Sequence, residues 1–186
     1  IKHGMCVSNL TYLIAKKLGL DNEACNNLAI ARMVHDIGKL RLSSYLYGRN
    51  SNGMIIEEIR YMRMHSRLGY DILMEKGYNN AICEAVLYHH ENYDGSGYPD
   101  NRKAEQIPIG ARIMHVADAF IALISERPYR EAFDFDSAIG IMIEDVKEFD
   151  MQVFLAFMDV IHEDGMFDRI KQSQSSIDYD MQEFDS

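Results

Sequence analysis

The chain has 186 residues, 47% apolar and 26% charged, which are the proportions of a globular protein with enough chain for one sizeable core. A net charge of −10 argues against general nucleic-acid binding, which needs Lys and Arg to displace phosphate counterions, so a small anionic substrate would have to be met by local cations. Cys6, Cys25 and Cys83 form no Cys-x-x-Cys pair and no apolar run reaches about 18 residues, so a disulfide framework, a structural zinc site and membrane insertion are unsupported and a cytoplasmic setting is expected.

The prolines stand at 99, 108 and 128, leaving the first ninety residues free to be helical. Val7, Leu10, Leu13, Ile14 and Leu18 recur at helical spacing up to Gly19, and His3 lies near the start of that first helix. Asp21 can cap a second helix whose apolar positions Ala24, Leu28, Ala31 and Val34 lead into His35-Asp36, with Gly38 as its stop. Residues 41–53 lack sustained periodicity and are expected to be a loop. Helical spacing resumes at Ile55, Ile59 and Met62, passes His65, and continues through Leu68, Ile72 and Leu73 to Gly77.

Asn79 or Asn80 can cap the next helix, in which Ile82, Val86 and His90 follow at steps of four with His89 beside them. The stretch from Glu91 to Pro108 carries Asp-Gly-Ser-Gly-Tyr-Pro and no helical pattern, and a loop of that length in a compact domain is expected to be functional. A strongly apolar helix then runs from Ile109 to about Ile124 and carries Asp118. Two or three further helices fill 135–163, and from Gly165 onward Asp, Ser and Gln accumulate. The expected organisation is one domain over 1–165 and a weakly ordered polar tail over 166–186.

His3, His35-Asp36, His65, His89-His90 and Asp118 are the groups a divalent transition metal recruits, and they are too many for one ion. A single histidine at a helix end is more often a hydrogen-bonded or dipole-stabilised residue than a ligand. Jointly these groups point to two ions, because adjacent His-Asp and His-His pairs border core residues where unpaired polar groups are costly. Asp118 sits among Ala111, Met114, Ile121 and Ala122, so its carboxylate needs a cation. Arg112 or Arg32 could supply one, but beside the other motifs a metal is favoured. His115 and His162 are expected to be a core-edge and a solvated residue.

Val34-His35-Asp36-Ile37-Gly38-Lys39, His65-Ser66-x-x-Gly69, His89 through Pro99 with its Gly97-Tyr98-Pro99, and Arg112-Ile113-x-x-Val116-Ala117-Asp118 together resemble the HD-GYP family over roughly residues 1–131. The resemblance implies an all-α, compact HD-type bundle of about seven helices that binds two or three iron or manganese ions and hydrolyses cyclic di-GMP to the linear dinucleotide and onward to GMP. It implies His3, His35, Asp36 and Asp118 for one metal, with Asp36 bridging, and His65, His89 and His90 for the second. The third metal of some members uses a Glu four residues ahead of the first His, a position that precedes this sequence.

Two cations about 3.5–4 Å apart can share a hydroxide that attacks a phosphodiester whose oxygens they neutralise. Asp36 and Lys39 are the catalytic candidates, Lys39 holding a nonbridging phosphate oxygen. Lys39, Tyr93, Gly97, Tyr98 and Pro99 are the substrate-binding candidates, with Tyr93 placed to stack on guanine; Arg127 and Arg130 are expected to brace the framework. The family also implies an upstream sensor or receiver domain and a protein partner at the Gly-Tyr-Pro loop.

Ile121 stands where the family usually has Asp, and Arg41 with Ser43-Ser44 replaces its Gly and Pro-Asp. Outer-shell changes of this kind cost ~10–100-fold in affinity or activity. The alternatives are therefore a catalytically weak signalling or binding module, or a phosphohydrolase of another cyclic dinucleotide or nucleotide.

Overall fold

The structure is a computed structural model that describes residues 2–46, 56–127 and 130–170. Its α-helices are α1 (Lys2–Lys17), α2 (Asn22–Val34), α3 (Lys39–Leu46), α4 (Ile56–Arg63), α5 (His65–Glu75), α6 (Asn80–Tyr88), α7 (Ile109–Ile124), α8 (Phe135–Glu144) and α9 (Met151–Ile161). The fold class is all-α, and no described helix is long and apolar enough to cross a membrane.

The chain punctuates these helices where side-chain chemistry requires it. Gly19 and Gly77 adopt φ of 78° and 74°, the left-handed backbone a glycine tolerates. The following amides, Leu20 and Tyr78, reach back to the carbonyls of Ala15 and Leu73, so α1 and α5 end with their last carbonyls satisfied. Asp21 and Asn79 accept the amides of Ala24 and Ala81 and start α2 and α6, and Asp134 and Asp150 do the same for α8 and α9.

Helix α7 is the centre of the bundle: Ile113, Met114, Val116, Ala117 and Phe120 are fully buried. Helices α1, α6, α8 and α9 pack around it, and α2 and α5 lie against α6. Phe120 meets Phe135 and Phe157 edge-on, tying α8 and α9 to the core.

Three expectations change. Residues 39–46 form α3, so the expected 41–53 loop begins as helix; buried Leu42 anchors α3 and it packs on α5. Helix α2 stops at Val34, and residues 35–38 form a turn in which Gly38 is needed for space, not as a left-handed stop. The expected all-α bundle of about seven helices is present, with α3 and a break at Met64 between α4 and α5 adding to the described helices. Residues 166–170, the expected start of the tail, have helical backbone, and Met166 and Ile170 are buried in the core.

Candidate metal centre

Gly38 decides how closely the two halves of the centre approach. A Cβ there would strike the carbonyl of His65 and lie 2.7 Å from the amide of Gly69, so the His35-Asp36 turn is pressed directly onto the start of α5. Gly69 repeats the arrangement one turn along α5, where a Cβ would meet Val86 of α6 at 3.1 Å. Three segments distant in sequence are thereby packed with little between their backbones.

Three histidines are oriented by the same device. The Nδ1–H of His35 donates to the carbonyl of Arg32 at 2.8 Å, that of His65 to Met62 at 2.7 Å, and that of His89 to Val86 at 2.6 Å. Each carbonyl lies three residues back, at the end of the helix from which the histidine emerges. The tautomer is set by those acceptors, and each Nε2 lone pair turns inward. The Nε2 atoms of His65 and His89 stand 3.3 Å apart, and His35 Nε2 lies 3.3 Å from Asp36 Oδ2 and 3.7 Å from Asp118 Oδ1. Asp36 Oδ1 is 3.7 Å from His65 Nε2, so its two oxygens face different histidines.

This donor set fits divalent metal. Nitrogen ligands at ~2.1 Å from one ion stand roughly 3.0–3.4 Å from each other, the spacing found here, and lone pairs aimed at lone pairs require a cation between them. Ligand atoms of His65, His89 and His90 fall within 4.8 Å of one another, as do those of His35, Asp36 and His89. His3 lies in α1, but its side chain is outside the described part of the structure.

The electrostatics favour neutral rings beside ionised carboxylates. Burial depresses His65 and His35, the latter helped by the Arg32 guanidinium; His89 lies well below the ordinary imidazole range and His90 falls to about 3, burial leading in both. Burial pushes Asp36 and Asp118 upward, yet both carboxyls end below their usual value. The hydrogen bond and charge of Lys39 work against burial at Asp36, and the Arg32 guanidinium does so at Asp118. Metal therefore meets imidazoles that need lose no proton at neutral pH.

The cleft above the centre has a volume of about 400 Å³, and Lys39, Tyr98, Ile121 and Arg127 are among its walls. Lys39 Nζ sits 2.8 Å from Asp36 Oδ1 and is 47% exposed, free to swing towards a ligand. Tyr98 stacks on His90 and receives the guanidinium of Arg63 over its ring at 5.2 Å. Gly97 is buried against the backbone of His90, Glu91 and Asn92, where any Cβ would collide. Gly97 and Pro99 are not among the cleft-lining residues, and neither is Tyr93, whose hydroxyl donates to Glu105. Arg130 braces the framework through the carbonyls of Ala122 and Leu123, whereas Arg127 lines the cleft.

Two features have no trace in the sequence pattern. Buried Glu91 accepts the amides of Asp100 at 2.7 Å and Arg102 at 3.0 Å, clamping the loop that carries Tyr98. His115 donates from Nδ1 to the His89 carbonyl at 3.1 Å from behind the centre.

Residues 1–153 match the HD domain family. The chain is 38% identical over 138 residues to the cyclic di-GMP phosphodiesterase response regulator RpfG of Xanthomonas campestris, covering 72% of this chain and 36% of that protein. It is 34% identical over 155 residues to the 3'3'-cGAMP-specific phosphodiesterase 1 of Vibrio cholerae, covering 82% and 36%. It thus spans little more than a third of the length of these relatives. A solved cyclic GMP-AMP specific phosphodiesterase of Vibrio cholerae superimposes with a TM-score of 0.68 at 17% identity, over 94% of this chain and 48% of that one, a likeness of fold.

Proposed function

Because the chain belongs to the HD domain family, whose members are metal-dependent, we propose that it is a phosphodiesterase that opens cyclic di-GMP to linear pGpG and carries the product onward to GMP. The observation that carries this reading is the set of inward-facing imidazole lone pairs with Asp36 between them. His3, His35, Asp36 and Asp118 would hold one divalent ion and His65, His89 and His90 a second, iron or manganese being the fitting metals, with a third ion a further option. When bound, such ions supply charge to the phosphodiester and lower the pKa of water.

The residues of the chain provide the rest. Asp36 faces both histidine groups and sets their spacing. Lys39, leaving Asp36 for a nonbridging phosphate oxygen, and Arg127 across the cleft would offset the phosphate charge as it rises. Tyr98 forms one wall and holds the His90 ring, and Gly97 and Pro99 shape the loop behind it. With a cytoplasmic messenger as substrate, the reaction would run in the cytoplasm, with a sensor or receiver domain as the partner that governs it.

The test is anaerobic purification, metal analysis and chromatographic assay with iron or manganese against cyclic di-GMP, 3'3'-cGAMP and nucleotide monophosphates. Formation of pGpG from cyclic di-GMP at the highest kcat/KM supports the assignment, and preference for the mixed dinucleotide moves it to the other kind of relative. Tight nucleotide binding by fully loaded protein without product would make the domain a signalling module acting through its Gly-Tyr-Pro loop. His65→Ala that keeps both the metal count and turnover would remove the second-ion assignment.

A further inference from the structure

Arg32 projects from the last turn of α2 into the centre and makes contacts that belong to a cation. Its Nη2 lies 2.9 Å from Asp118 Oδ1, and its Nη1 lies against the His35 ring, 2.7 Å from Nδ1 and 2.8 Å from Nε2. Its side chain is only 9% exposed, and its Nε is buried with no hydrogen-bond partner among the described residues. The guanidinium is therefore aimed by His35 and Asp118 at the expense of its own solvation.

The two carboxylates of the described centre are each matched by a basic side chain, Asp36 by Lys39 and Asp118 by Arg32. The two cations differ in how easily they leave. Lys39 is half exposed on a flexible stem, whereas Arg32 is enclosed and gripped by two partners at once. The ligand atoms of His65, His89 and His90 converge within 4.8 Å of one another, and the contacts of Arg32 among the described residues are with His35 and Asp118, not with these three rings.

We propose that the Arg32 guanidinium is a resident cation of the centre, seated between His35 and Asp118, so that divalent metal loads the His65–His89–His90 side first and the His35–Asp118 side only by expelling Arg32. The inference rests on the metal-centre reading given above. It makes the competence of the centre depend on metal supply: at low divalent ion the protein holds one ion and a guanidinium, and the second ion enters when its concentration overcomes the internal ion pair. A charge that stays nearby after displacement also repels the incoming ion.

The experiment is titration of metal-free protein with Mn²⁺ alone, read by calorimetry and by the electron paramagnetic resonance of free and bound ion. Wild type should show two affinity classes at least about tenfold apart, the scale on which neighbouring groups tune metal affinity. Arg32→Ala should tighten the weaker class by about tenfold or more, leave the tighter class in place, lower the melting temperature of metal-free protein and regain it with Mn²⁺. Arg32→Gln, which keeps length and a donor but no charge, guards against a packing defect and should behave likewise. A merely structural arginine would lower the melting temperature of both forms and leave the weaker class where it was. A single class in wild type, or a weaker class unmoved or weakened in both variants, overturns the proposal. Since no nucleotide is present, failure of fully loaded protein to hydrolyse cyclic di-GMP would sink the phosphodiesterase reading and leave the place of Arg32 standing.

Discussion

The ring of Tyr98 stacks on the imidazole of His90, with centroids 4.8 Å and planes 27° apart, and the Tyr98 amide donates to the His90 carbonyl at 3.0 Å. The tyrosine of the Gly-Tyr-Pro loop thus grips, through both side chain and backbone, the one histidine of the doublet that faces the cleft. His35, His65 and His89 are oriented by carbonyls one turn back, while the Tyr98 ring and the His65 ring at 5.0 Å flank His90. Tyr98→Phe keeps the stacking face and should leave metal content unchanged. Tyr98→Ala should weaken the ion held by His90 by ~10–100-fold, as loss of an orienting contact does. Metal retention during dialysis against a graded chelator measures both, and equal retention by the two variants would refute the orienting role.

Gly38 gives a sharper structural test. A methyl group there has no space, since its obstacles are the His65 carbonyl and the Gly69 amide, backbone atoms that cannot rotate aside. Gly38→Ala should cost about 1–3 kcal/mol or more in urea unfolding, the price range of overpacking, and should separate the His35-Asp36 turn from α5. The expected signature is a loss of metal larger than Lys39→Ala causes, although Gly38 bears no ligand. A variant as stable as wild type would mean that the turn and α5 are not held together by this contact.

Helix class and caps were legible because they depend on nearest neighbours: Asp21 and Asn79 each bond amides two or three residues on, and Gly19 and Gly77 end apolar periodicity at the residue where it lapses. The ligand types were legible because His-Asp and His-His are unusual at the margin of an apolar stripe. Pairing was not. Sequence left Asp118 with two arginine candidates, and tertiary packing assigns Arg32 to Asp118 and Arg112 to the buried carboxylate of Asp150 at 2.5 Å, a distinction no local pattern encodes. Helix α3 escaped for a related reason: its stability comes from contact with α5, not from its own pattern.

Glu91 shows how a residue without periodic signal can govern a loop. Its two oxygens separately accept the Asp100 and Arg102 amides, and Arg102 continues to the Tyr88 hydroxyl at 2.6 Å with its guanidinium 3.8 Å from that ring. Burial pushes the carboxyl up, and the two amide bonds hold it partly back. Glu91→Ala leaves both amides without their acceptor and should cost about 1–3 kcal/mol each if they stay buried, or release the loop if they do not. Hydrogen exchange decides between these: rapid exchange confined to residues 93–103 in the variant is the expected result, and unchanged protection there would show that the loop is held by something else. Glu91→Gln, which retains one carbonyl acceptor, should fall between the two.

The buried imidazoles give the metal-free protein a definite response to acid. His35, His65, His89, His90 and His115 all lie below the ordinary imidazole value because burial disfavours their charged form, His90 at about 3. In the unfolded chain they titrate near 6.5. Between that value and their folded values the unfolded state binds more protons, so stability rises with pH across the window and is lost on acidification. Asp36 and Asp118, depressed in the folded state, add a further loss only as pH falls below about 4. Thermal melts of metal-free protein should therefore be level above pH 7 and fall steeply from pH 6 towards pH 4, before the carboxylates begin to protonate. Mn²⁺ should raise the plateau and make the fall steeper, since protons and metal compete for the same Nε2 atoms. A melting temperature constant from pH 7 to pH 4 would mean that these rings carry protons in the folded protein, which the inward-facing lone pairs of His65 and His89 at 3.3 Å could not accommodate together.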